Sequence, residues 1–266
     1  MNLLSENSIP EDAQVIIVAG PQKPLSQGEV NLLKDFVDSG GALVIMQDPT
    51  VLTEFGDSPD PLARYLENEW GIILNNDLIF DLSSQQPNVA ISNGSNTHPI
   101  TQNHTDSYSI YMPNARSVST IPLDSADVVT TPLIFTSPNS WGEVSLDESV
   151  EGYQYDELDT PGPLNMAVAG ENTTTTGRVL VMGSSLFVLD VNFDVYGNGN
   201  FFINSVDWTA EQEDLINLTT RPQTQRVFLP PSQGSFLILA LVAIIVIPGM
   251  VVFFGVSSWI ARRRRG

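Results

Sequence analysis

The chain has 266 residues, of which 31 are acidic and 11 basic, for a formal net charge of −20, and it contains no cysteine. Disulfides, thiolate metal ligands and cysteine nucleophiles are thereby excluded. Such an acidic chain is also a poor fit to nucleic acid, whose phosphates call for Lys and Arg.

The apolar content of 42% argues against disorder, and the part before a C-terminal apolar run is long enough for one large domain or two small ones. Val15 to Ala19 is a short β-branched run ending at Gly20-Pro21, as a buried parallel strand does. Ser26 and Glu29 stand at capping-box spacing. Val30, Leu32, Leu33, Phe36 and Val37 then recur at helical intervals up to a stop at Gly40-Gly41. Ala42 to Met46 reads as the next strand, ended by Asp48-Pro49. Pro61 to Trp70 reads as a second helix closed by Gly71, which makes a βαβα pattern. Ile72 to Leu82 supplies one or two more strands, and Ser83 to Asn96 turns polar and loop-like. Val128 to Phe135 is a further strand. Trp141 to Pro163 carries seven acids and no base, the pattern of a solvated loop. Met166 to Ala169 and Arg178 to Met182, joined by a turn at Thr173 to Gly177, are expected as a hairpin at the sheet edge. Gly183-Ser184-Ser185 leaves that strand, Asn200 to Trp208 has helical spacing, and Leu215 to Gln233 is a Pro/Gln/Thr linker. No internal repeat is present.

Phe236 to Ala261 is uncharged and mostly apolar, and Arg262, Arg263, Arg264 and Arg265 follow it. At about 1.5 Å per residue such a helix is roughly 39 Å long, enough to cross a hydrocarbon core of about 30 Å. Pro248 and Gly249 are tolerable in a membrane helix. The expected anchor is therefore marked by Phe236, Pro248, Trp259 and the four arginines. Basic flanks stay in the cytoplasm, and all 31 acids precede the anchor. The expected plan is an extracytoplasmic domain over 1–214, a linker over 215–234, a span over 235–261 in the plasma (inner) membrane and a cytoplasmic tail over 262–266. Met1 to Asn7 has no basic n-region, long apolar stretch or cleavage site to export that domain. Either an upstream segment carries the signal, the favoured expectation, or the protein is tail-anchored with its domain in the cytoplasm.

Several segments, in this order, resemble a family. They are Ile9 to Ala13 leading into Val15 to Pro21, Pro24-Leu25-Ser26 before a helix, Gly40 to Leu43, and Thr136 to Glu143. Gly162-Pro163 before Ala167 to Ala169, Gly177 to Phe187, Gly199-Asn200 and Asn204 to Trp208 follow. Together with the arginine-flanked apolar end, they are similar to the GldG-like auxiliary component of gliding-motility-type ABC transport systems. The resemblance implies an α/β ectodomain with a flavodoxin-like or class I glutamine-amidotransferase-like sheet, held near an ABC permease and served by a separate ATPase. It also implies an N-terminal membrane helix and further upstream sequence. Where Ser184 stands, the family often has an acid.

The residues themselves offer few chemical sites. The only lysines, Lys23 and Lys34, follow no phosphate loop, so this chain is not the ATPase. Gly183 to Phe187 lacks the second glycine of a nucleophile elbow, and amidotransferase chemistry needs a cysteine. His98, His104 and Asp106 match no metal-ligand spacing. Asp147, Glu148, Glu151, Asp156, Glu157 and Asp159 lack the EF-hand pattern. Trp141 and Trp208 read as packing anchors. Asp48 and Asp190 are the candidate ligand-binding residues, because open α/β sheets bind ligands beyond the carboxyl ends of their strands. No catalytic residue, metal or cofactor is expected. The expected function is that of a non-catalytic, membrane-anchored accessory subunit with an ABC permease, its ATPase and membrane lipid as partners, and no nucleic acid. A membrane-tethered ligand sensor and a hydrolase-like enzyme of amidotransferase-like fold are the alternatives.

Overall fold

The computed structural model describes residues 3, 8–102, 109–145 and 154–210, and near the C-terminus 248–250, 255–256, 259–260 and 263. The chain divides into two units, Met1–Thr220 and Arg221–Gly266. In the second unit, the guanidinium of Arg263 lies 5.4 Å from the Trp259 ring centroid. Among the described residues no helix is long and apolar enough to cross a membrane. Phe236, Arg262, Arg264, Arg265 and most of the expected 235–261 span lie outside those residues, as does the 215–234 linker.

The first unit is a mixed α/β domain. Strand β1 (Val15–Ala19) leads into α1 (Gln27–Asp38), β2 (Ala42–Met46) and α2 (Pro61–Trp70), and β1 and β2 pair in parallel. Short strands β3 (Ile72–Leu74), β4 (Leu78–Asp81), β5 (Val89–Ile91), β6 (Gly94–Ser95), β7 (Tyr111–Pro113) and β8 (Val118–Thr120) come next. Strands β9 (Val128–Phe135), β10 (Ser140–Glu143), β11 (Thr160–Pro161), β12 (Asn165–Asn172) and β13 (Arg178–Met182) complete the set. A four-residue helix α3 (Asp190–Phe193) and α4 (Asn198–Thr209) end the unit. The main sheet runs β1-β2-β13-β12-β9-β6. β13 is parallel to β2, and β12 is antiparallel to both β13 and β9. Three parallel strands are thus fused to an antiparallel half.

Local chemistry explains the first half of the unit. Ser26 accepts from the Glu29 amide at 3.3 Å while the Glu29 carboxylate accepts from the Ser26 amide at 2.8 Å, a complete capping box. Asp60 caps α2 through the Leu62 and Ala63 amides, and Gly71 at φ 62° stops it. Side chains alternate across the sheet. Leu43, Ile45, Val179 and Val181 pack under α1 and α2, while Val44, Met46, Leu180 and Met182 pack under α4 with Phe187, Phe201 and Trp208.

Three expectations need correction. The β12–β13 hairpin forms, but it sits in the middle of the sheet, because β9 and β6 pair beyond it. The polar stretch from Ser83 contains β5 and β6, whose strand character comes from pairing with β7 and β9 and not from local periodicity. The acidic stretch from Trp141 is not wholly solvated. β10 pairs with β4, Trp141 stacks on Phe80 at 5.5 Å, and Glu143 and Asp159 are buried. Their carboxylates accept main-chain amides, Ser145 N–H on Glu143 and those of Val144 and Asp156 on Asp159.

Candidate functional site

The helices after β2 and after β13 go to opposite faces of the sheet, so the carboxyl ends of these neighbouring strands form a topological switch point, the usual ligand crevice of an open α/β sheet. Asp48 follows β2 at this place. Its Oδ1 accepts the Ser185 amide at 2.6 Å and its Oδ2 the Ser185 hydroxyl at 2.7 Å. Gly20, leaving β1 at φ +56°, covers the pair. A Cβ there would come 2.6 Å from Ser185 Oγ and 3.3 Å from Asp48 Oδ2, so only glycine lets the three turns meet. Ser184 is buried and donates to the Pro113 carbonyl at 2.8 Å.

Beneath this closure lies a buried charge layer. Gln47 donates to Asp60 Oδ2 at 2.6 Å. Arg116 donates through Nε to the Asn75 carbonyl at 2.6 Å and through Nη2 to that of Leu74 at 2.8 Å. Asp77 accepts the Ser117 amide at 2.8 Å and the Ser117 hydroxyl at 2.5 Å. Burial pushes the Arg116 guanidinium down from its usual value, opposed by Asp77, Asp60 and Asp48. Burial likewise pushes the Asp77 carboxyl up, opposed by the Ser117 bonds and Arg116. Gln47 Oε1 and Arg116 Nη1 have no hydrogen-bond partner in the protein, and the two residues are only 1% and 3% exposed. The layer thus keeps one unpaired acceptor and one unpaired donor.

Of the expected site residues, Asp48 therefore belongs to the switch point, and Asp190 does not. Asp190 is exposed at the start of α3, past the Leu186–Val188 turn, and nothing brings the two together. Gln47, Asp60, Asp77 and Arg116 carry no motif. The one signal available was an arginine isolated in a long acidic segment. His98 caps a 3₁₀ turn at Pro99–Thr101, its Nδ1 accepting from the Ile100 amide at 3.3 Å. It lies edge-on to Trp208 beside a cavity of about 210 Å³ reaching Glu171, and burial pushes its pKa down to about 4. The Arg178 guanidinium sits over the Trp208 ring, 4.8 Å from its centroid, and pairs with Glu171 at 2.9 Å. His104, Asp106, Asp147, Glu148 and Glu151 lie outside the described residues. Among the described residues no cluster of His, Asp and Glu can hold a metal ion.

The larger cavity, about 580 Å³, opens at the other end of the parallel strands. It is lined by Ile9, Glu11, Gln14, Asp35, Phe36 and Gly41 among others, and by the end of α4 at Thr209 and Ala210. The segments entering and leaving the described domain thus meet at the amino edge of the sheet.

A mixed α/β domain with a self-closed switch point is a class many functions share. The family is more definite: this chain belongs to the family described as ABC-type uncharacterized transport system (ABC_transp_aux), which matches residues 1–205. No curated protein is significantly similar to the chain. Among solved structures, the mmIFT52 N-terminal domain is similar over 74% of this chain and 77% of its own, at 18% identity and a TM-score of 0.56. At that identity the likeness is one of fold. A ThuA-like protein from Bacteroides uniformis aligns over 74% of this chain and 69% of its own, at 16% identity and a TM-score of 0.37.

Proposed function

We propose that the chain is a non-catalytic, membrane-anchored accessory subunit of an ABC-type transport system of the GldG-like, gliding-motility kind. Its α/β domain stands outside the plasma (inner) membrane, the 235–261 segment is the anchor and the arginine tail is cytoplasmic. The domain works by binding a permease subunit, and through it a separate ATPase. The parallel trio β1-β2-β13 is the part of the sheet that favours a flavodoxin-like or amidotransferase-like origin. The observation that carries the non-catalytic reading is the Asp48–Ser185 closure under Gly20. A serine nucleophile needs a base that takes its proton and a path for substrate. Here the hydroxyl is spent on a carboxylate that also holds the amide, and His98 stands elsewhere, against Trp208.

The test has two arms on the full chain in detergent. Hydrolysis of nucleotides, esters, amides and glycans is expected to equal that of a Ser184→Ala/Ser185→Ala double variant, and the chain is expected to co-purify with an ABC permease subunit from its native membrane. Hydrolysis abolished by the double variant would establish an enzyme instead. A ligand sensor is the second reading, favoured by the unpartnered Gln47 Oε1 and Arg116 Nη1.

A further inference from the structure

Strands β9 and β12 floor a cavity on the α4 side of the sheet. In their antiparallel register Val129 stands opposite Glu171 and Thr131 opposite Ala169, so these four side chains share one face. Ala169 packs in the same core as Trp208, which places that face under α4. Trp208, His98 and Pro99 wall the cavity of about 210 Å³, and Val129, 54% exposed, stands at its mouth.

Three lining residues keep unused hydrogen-bonding capacity. His98 Nδ1 accepts from the Ile100 amide, which leaves the ring hydrogen on Nε2 as a donor. Burial pushes the pKa of this ring down to about 4, so it is uncharged at pH 7. Arg178 donates to Glu171 Oε1 through both Nε at 3.1 Å and Nη2 at 2.9 Å, and Glu171 Oε2 accepts from nothing among the described residues. The Thr131 hydroxyl is likewise unpartnered among the described residues.

We propose that this cavity binds one neutral sugar ring, its hydroxyls meeting His98 Nε2, Glu171 Oε2 and Thr131, and its apolar face lying on Val129, Pro99 and Ala169. Charge decides the class of ligand. An anion would face the Glu171 carboxylate, and a cation would face Arg178, which already balances that carboxylate and already lies over the Trp208 ring. A purely apolar ligand would displace water from the imidazole N–H and the free carboxylate oxygen without replacing its bonds. Hydroxyls both donate and accept, so they satisfy all three groups at once. The size agrees, since about 210 Å³ is below the roughly 300–1,000 Å³ of sites for drug-sized molecules, which leaves room for a single ring. The site is separate from the closed switch point at Asp48 and Ser185.

The test is calorimetric titration of the full chain in a detergent with a polyoxyethylene head group, because sugar-headed detergents would compete. The probes are the methyl glycosides of glucose, mannose and galactose. At least one is expected to saturate with a Kd on the order of millimolar, as suits so small a contact. Its 2-amino and uronate counterparts, which carry a positive and a negative charge, are expected to bind at least about fivefold more weakly. Thr131→Val keeps the shape and removes the hydroxyl, and should weaken binding by about fivefold or more. Val129→Trp fills the mouth from an exposed position and should abolish binding with the unfolding midpoint kept, whereas Val191→Trp, at a residue 79% exposed and outside the cavity lining, should leave binding unchanged. No saturation below about 100 mM by any of the three glycosides would overturn the proposal. So would a charged counterpart binding as tightly as the neutral sugar, or binding that survives both Thr131→Val and Val129→Trp undiminished.

Discussion

The two ends of the parallel strands are finished in opposite ways. At the carboxyl end every turn is locked to another: Gly20 lies against Ser185, Ser185 is doubly bonded to Asp48, and the Arg116 amide bonds the Gly183 carbonyl at 2.9 Å. At the amino end Gln14, Gly41, Ser39 and Thr209 surround a cavity of about 580 Å³. In an open α/β sheet the carboxyl end normally stays open for a ligand. Here the usual ligand end is used for cohesion, and the open volume has moved to the end where the chain enters and leaves. Stability should therefore concentrate at the carboxyl end and tolerance at the amino end.

The largest effect should come from Arg116→Ala. It removes a buried cation held by the Leu74 and Asn75 carbonyls and leaves the Asp77 carboxylate without its nearest cation. Breaking a buried charge layer from one side costs about 3–5 kcal/mol. Denaturant titration of the full chain in detergent measures it. A loss under about 1 kcal/mol would mean that the carboxyl end is not the stable one.

Next in size is Gly183→Ala. Its Cβ would meet the Arg116 carbonyl oxygen at 1.9 Å, a main-chain atom that cannot step aside. Overpacking of this kind costs roughly 1–3 kcal/mol, visible as a lower unfolding midpoint.

A smaller effect is expected at His98, between the two ends in the antiparallel half. Its folded pKa is lowered to about 4 from an ordinary 6.5, first by burial. Between these values the unfolded chain takes up a proton that the folded chain refuses. His98 therefore lowers stability as pH falls from about 6.5 to 4, and has no such effect above that window. With the ring half-buried, solvent screening reduces the penalty to on the order of 1 kcal/mol. His98→Asn keeps a cap for the 3₁₀ turn and should flatten the difference between pH 7 and pH 4.5 by that amount. An unchanged pH slope would show that the imidazole is solvated.

How much of this was legible in the sequence follows the same division. β1, α1, β2, α2 and β9 read correctly, because each announces itself locally through β-branched runs, a capping box, or Asp60-Pro61 and Gly71 around a helix. The central place of the β12–β13 hairpin did not, since strand order depends on partners remote in sequence, here Val128–Phe135 and Gly94–Ser95. Asp48 was legible as a residue just past a strand, a position with a general meaning. The layer beneath it was not. Arg116 and Asp77 stand between short strands that have no period of their own, and only the fold sets Ser117 against Asp77 and Arg116 under Gly183. Glu143 and Asp159 looked solvated because burial of a carboxylate depends on amides that no composition count contains.

The smallest expected effect is also the most direct comparison of the two ends. Gly41 stands just before β2 at the amino end, and a Cβ on it would approach the Phe36 ring at 2.5 Å, nominally as impossible as the contact at Gly183. The obstacle is different in kind. Phe36 is a half-buried side chain lining the 580 Å³ cavity, so its ring can turn into that volume, whereas the Arg116 carbonyl is fixed by the strands around it. Gly41 has no positive φ that would strain an alanine, and alanine restricts the unfolded chain, which by itself adds about 0.4–1 kcal/mol of stability. Displacement of the ring and the gain in the unfolded state should nearly cancel, leaving Gly41→Ala within about 0.5 kcal/mol of the parent chain. Measured beside Gly183→Ala under identical conditions, a Gly41→Ala loss as large as its counterpart's would mean that the amino-end cavity is as rigid as the carboxyl-end closure. The contrast between the two ends would then disappear.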